Sequence, residues 1–169
     1  MRRRAAALLA ATAIGLGLPW ANPPSPAVAA PAPGDTADHV VVVGLAGLRW
    51  TDVTQHGTPT LSRTADQGSV GALSTRSAPE VTCPAEGWLT LGAGTYAAVA
   101  DPDRMDPAQG CAGRPVPTPV PDGEGARVTT SGQLQSLNGR LRFGARPGTL
   151  GARVPCAAAV GPGAALGVA

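Results

Sequence analysis

The stretch "EVTCPAEGWLTLGAG", residues 80–94, brings a threonine, a cysteine and a glutamate within five positions of one another. A threonine hydroxyl attacks phosphorus or carbon only when a base or a bound cation takes charge of its proton. The same hydroxyl is at home at the start of a helix, where it hydrogen-bonds free backbone N–H groups. Thr82 is therefore both a candidate nucleophile and a candidate N-cap or turn residue. Glu86 carries the same double reading, as a general base or as a first-turn acid favoured by the helix macrodipole. His39 and His56 are metal-ligand types, yet neither has a partner at ligand spacing, and both read as surface or loop residues.

Three cysteines, Cys83, Cys111 and Cys156, are too widely spaced for a zinc motif. In an oxidising compartment their expected chemistry is disulfide formation, with one thiol left over. Pairing of Cys83 with Cys111 is one candidate. It would tie the start of the helix to the following proline-rich loop, and closing a loop of that size is worth roughly 3 kcal/mol in the chain-entropy model.

Several elements must position these residues. In "HVVVVGLAGLRW" the four valines of residues 40–43 lack polar alternation, which suits a strand buried on both faces in a parallel sheet. The "GLAG" turn that follows lacks a Gly-Lys-Ser/Thr phosphate loop and reads as strand-end geometry. "TPTLSRTADQG" offers Thr58 as N-cap, Pro59 at the first helical position, Leu61 and Ala65 on one face, and Gly68 as C-cap. "SVGALST" from Ser69 reads as a second strand, and the order strand, helix, strand implies a right-handed parallel crossover. A helix is expected over residues 84–91, with Pro84 in its first turn, Trp88 and Leu91 on one face, and Gly92 and Gly94 ending it. Residues 98–125 carry many prolines and no apolar period, and predict an irregular or partly disordered excursion. "RVTTSGQLQSLNGRLRFG" predicts a short strand and a weak helix, and the tail predicts a small apolar strand around residues 156–160 before a final turn. Trp50 and Trp88 are expected to pack in the interior.

The first 29 residues run from Arg2, Arg3 and Arg4 through an apolar stretch to small residues at Ala27 and Ala29, the order of a secretory signal peptide. Residues 30–38 form a proline-bearing linker. The apolar stretch is shorter than the roughly 20 residues of a membrane span, so membrane association is expected only through an uncleaved signal or a missing C-terminal region. Removing the signal leaves 10 arginines against 11 acidic residues, and the chain has no lysine. Nucleic acid is thereby excluded as a partner, since phosphate binding needs a basic surface. With 23 glycines, 18 prolines and few aromatic residues, the core must be built from Val, Leu and Ala.

Taken together, "VVVVGLAGLRW", "TPTLSRTADQGSVGALST" and "VTCPAEGWLTLGAG" resemble the start of an alkaline phosphatase superfamily domain, the group that includes nucleotide pyrophosphatases and phosphodiesterases. The likeness is nearest to the N-terminal extracytoplasmic domain of large actinobacterial membrane proteins of unassigned activity, and it spans residues 39–97 with a looser match in the tail. It implies an α/β fold, a partial and truncated doubly wound parallel sheet over residues 39–169. It also implies that Thr82 stands in the nucleophile position. In that family the first strand delivers a metal-binding Asp and further Asp and His ligands follow much later, holding divalent cations such as zinc that activate the threonine. Ala46 occupies the position of the first Asp, and the later ligands would fall beyond Ala169. Asp52 lies past the strand end. The expectation is an exported, catalytically silent or truncated module without a resident metal; the alternatives are a metal-dependent phosphoester hydrolase acting through Thr82, and a phosphate-binding envelope module.

Overall fold

The computed structural model describes residues 38–169; the expected signal peptide and most of the linker lie outside the described residues. Contacts divide the chain at residue 41, and all that follows concerns the unit Val42–Ala169 unless stated. Helix α1 spans Pro59–Gln67, α2 Pro84–Ala93 and α3 Ser131–Arg140. Strands β1 (Pro119–Asp122) and β2 (Gly125–Val128) form an antiparallel hairpin, and short 3-10 helices mark the loops.

The core is organised around α2. Ala85, Leu89 and Ala93 bury one face of it against Ala97, Val99, Val128, Leu134, Ala145 and Leu166, with Trp88 packed alongside. Small residues make this possible. A Cβ on Gly92 would lie 2.5 Å from the carbonyl oxygen of Gly167, so glycine lets the 3-10 helix Ala164–Gly167 rest directly on α2. The Trp88 indole sits against Gly44, Gly163 and Gly167, where a side chain on Gly44 would come within 2.7 Å of the ring. Gly44 and the pair Gly163 and Gly167, from opposite ends of the unit's sequence, thus make room for one large aromatic, the main bulk in a core otherwise built of Ala, Val and Leu.

Both main helices end as their sequences direct. Pro59 and Pro84 occupy first-turn positions, and Gly94, at φ 70°, closes α2 while its N–H donates to the carbonyls of Leu91 and Thr90. Helix α2 runs two residues beyond the expected 84–91, because Gly92 is used for close packing and only Gly94 for termination. Leu91 is 46% exposed rather than sharing a buried face with Trp88, since the buried stripe follows Ala85, Leu89 and Gly92. Thr58 precedes α1 as expected, yet its hydroxyl donates to the Asp52 carbonyl (2.8 Å) and accepts from Thr54 N–H (2.8 Å), tying α1 to the loop before it.

The segments expected to form parallel strands are not paired strands among the described residues. Residues 40–43 expose 55% to 83% of their valine surface, and Val70, Leu73 and Val160 are also exposed. The sheet that is present is the hairpin, turned at Gly123 with φ 60°. It matches the short strand expected before α3 and adds β1, which falls inside the excursion expected to be irregular. That excursion also holds two ordered turns. In "DPDRMDPAQ", Asp101 and Asp106 each cap a 3-10 helix begun by the following proline, accepting from Asp103 N–H and Ala108 N–H. Trp50, expected in the interior, is 67% exposed because it lies in a surface 3-10 turn (Trp50–Asp52).

Candidate functional site

Thr82 lies one residue before the N-cap of α2, a place that belongs to Cys83. It is half-buried, and its hydroxyl shares a 2.9 Å hydrogen bond with the buried hydroxyl of Ser77. The Ser77–Thr82 turn is anchored in turn by Ala78, whose N–H donates to the Ala97 carbonyl. So Thr82 does not cap the helix through its side chain; it closes a hydroxyl pair just ahead of it.

Cys83 and Cys111 form a disulfide with their Cα atoms 5.6 Å apart, and Cys156 is a free, exposed thiol. The bond links the first turn of α2 to residues 101–117. An ion pair reinforces it: Arg114 Nη1 donates to Glu86 Oε1 at 3.2 Å, with the two side chains 7% and 0% exposed. Arg114 also donates through Nε to the Gly110 carbonyl (3.0 Å) and contacts the Met105 sulfur. Burial costs both charges their hydration, so each depends on the other. Among the described residues, the second carboxylate oxygen of Glu86, Oε2, has no hydrogen-bond partner. Glu86 therefore takes the first-turn position expected of it, with the added role of anchoring the excursion through a buried charge pair.

The remaining candidates do not converge on Thr82. Asp52 Oδ2 accepts from the Arg49 N–H at 2.8 Å within its own turn. His39 and His56 are exposed, and Ala46 lies in an exposed turn with Gly47 at φ 78°. Among the described residues, no three His, Cys, Asp or Glu side chains gather so as to hold a metal ion. The donor set present does not fit the divalent cations that the resemblance implies. A cavity of about 650 Å³ opens beside α3, lined by Gln135, Arg146 and Thr149, away from the start of α2.

Comparison with known proteins adds nothing to this geometry. No family model, no curated protein and no solved structure matches the chain. The disulfide fits an extracellular location, and among the described residues no helix is long and apolar enough to cross a membrane.

Ser77, Arg114 and Asn138 shape this region and were not singled out by sequence. Arg114 had a signal. Each bonded cysteine is followed three residues later by a charge, Cys83 by Glu86 and Cys111 by Arg114, and the charges are opposite. Once the cysteines pair, that equal spacing brings the charges together. Asn138 is fully buried on α3, where Oδ1 accepts from the Ala98 N–H (2.8 Å) and Nδ2 donates to the carbonyls of Ala98 (2.9 Å) and Leu134 (2.8 Å).

Proposed function

We propose that this chain is an exported module of alkaline phosphatase type in which Thr82 occupies a nucleophile position without catalysing phosphoryl transfer. The observation that carries the proposal is the engagement of every nearby candidate group elsewhere. Thr82 is bonded to Ser77, Glu86 to Arg114 and Asp52 to its own turn, while residue 46 is alanine. An unactivated threonine hydroxyl is too weak a nucleophile for a phosphate ester. The apolar segments at residues 40–43, 69–75 and around 156–160 are, in this proposal, strands of a parallel sheet; the uninterrupted valines of residues 40–43, suited to burial on both faces, support it.

The test uses the purified exported protein and a Thr82→Ala variant, each with added zinc or manganese, on an aryl phosphate and an aryl phosphodiester. Neither protein should turn over substrate above background, and neither should retain stoichiometric zinc. Zinc-dependent hydrolysis lost in Thr82→Ala would establish the hydrolase instead.

A second reading, a phosphate-binding module, draws on the paired hydroxyls of Ser77 and Thr82 beside a helix start. The buried carboxylate of Glu86 in the same first turn works against an anion there. Calorimetric titration with inorganic phosphate should give no binding heat, and heat abolished by Thr82→Ala would favour the binder.

A further inference from the structure

We propose that the Cys83–Cys111 disulfide is an exchangeable latch, and that its reduction by a thiol releases residues 101–117 from the start of α2 while the rest of the unit stays folded. The proposal rests on two features of the bond's surroundings and is independent of whether Thr82 is active.

The first is an asymmetry of access. Cys111 lies in an exposed turn, whereas Cys83 is buried, so an incoming thiolate reaches Cys111 Sγ. Exchange depends on which sulfur the thiolate can reach, and here that is Cys111. In the first step the thiolate bonds to Cys111 Sγ, the sulfur–sulfur bond breaks, and Cys83 leaves with the electron pair. A second thiol then attacks the mixed disulfide, freeing Cys111. Two thiols are oxidised to one disulfide, and the two electrons they give up reduce the cystine; a disulfide oxidant reverses the sequence.

The second feature is what remains when the bond opens. Residues 101–117 form only short turns among themselves, closed by local hydrogen bonds such as Arg104 N–H to the Asp101 carbonyl and Gly110 N–H to the Pro107 carbonyl. Among the described residues, the side-chain hydrogen bond that then ties them to α2 is the Glu86–Arg114 pair. The attraction within a buried ion pair is largely offset by the desolvation of its two charges, which makes it a weak fastening. The core cluster, by contrast, draws none of its residues from 101–117 and does not depend on the latch. Opening therefore uncovers the Glu86 carboxylate at the start of α2.

The experiment takes the exported chain carrying Cys156→Ser, which removes the competing exposed thiol. The native protein is treated with millimolar glutathione, trapped by alkylation and mapped by mass spectrometry, while hydrogen exchange is followed segment by segment. Glutathione should be found on Cys111 and the alkyl group on Cys83. Exchange within residues 101–117 should rise about tenfold while α2 and α3 keep their protection. Glutathione found on Cys83, a disulfide that resists reduction until the protein is denatured, or loss of protection throughout α2 and α3 would each overturn the proposal. A Cys83→Ser/Cys111→Ser variant supplies a second check: its exchange pattern should match the reduced protein, and a pattern matching the oxidised protein would refute the latch.

Discussion

Replacing Asn138 by alanine tests whether one buried amide holds α3 to the segment that follows α2. The side chain meets both backbone polar groups of Ala98, a residue that is itself fully buried, at 2.8 and 2.9 Å. Alanine leaves that N–H and that carbonyl without their partner. Each orphaned buried group costs about 1–3 kcal/mol. The Leu134 carbonyl adds little, since its position within α3 gives it a helical backbone donor. Taken together the loss is about 3–4 kcal/mol, a large part of the roughly 5–15 kcal/mol that stabilises an ordinary domain. With a urea m-value near 2 kcal/mol/M, the midpoint should fall by about 1.5–2 M. The assay is equilibrium unfolding of the oxidised protein, followed in parallel by tryptophan fluorescence and circular dichroism. Asn138→Asp sharpens the test. It retains an acceptor for the Ala98 N–H but turns a carboxylate oxygen toward two carbonyls, so it should be no more stable than the alanine variant. A midpoint for Asn138→Ala within about 0.5 kcal/mol of the parent would refute the reasoning.

Arg114→Ala strands Glu86 as an unpaired buried charge and should cost about 3–5 kcal/mol, whereas Arg114→Met combined with Glu86→Gln should recover most of that loss; equal unfolding midpoints for the two variants would contradict the pairing. Gly92→Ala forces a methyl against the Gly167 carbonyl, and despite alanine's better helix propensity it should lower the thermal midpoint, reflecting about 1–3 kcal/mol of overpacking; a rise in midpoint would show that the 3-10 helix Ala164–Gly167 is free to shift. Asp101→Ala and Asp106→Ala each remove a turn-capping acceptor, should cost about 1 kcal/mol of local stability apiece, and should be visible as faster exchange at Asp103 and Ala108.

Local chemistry was the part of this chain most legible in the sequence. Pro59, Pro84, Gly68 and Gly94 marked the helix ends because a fixed φ, a missing N–H or a missing Cβ acts within a few residues. The Cys83–Cys111 pairing was accessible as a candidate through compartment and spacing. What escaped was long-range. Asn138 looks like any polar residue on a weak helix, and only the arrival of Ala98, forty positions away, makes it a clamp. Thr82 looked like an N-cap because hydroxyls favour such places, but Ser77 competes for its hydrogen bond and leaves the cap to Cys83. The valine run carries the pattern of an interior strand, yet pattern states only what a segment would bury, and its partners must come from elsewhere.

Those valines have a practical consequence. Residues 40–43 combine strong β-propensity with no charge and no proline, and among the described residues their backbone groups have no strand partner, so they could pair with any similar segment they meet. Stacking of one chain's run upon another's would seed fibrils faster at higher concentration, and a single lysine placed at Val41 should delay their onset in a thioflavin assay.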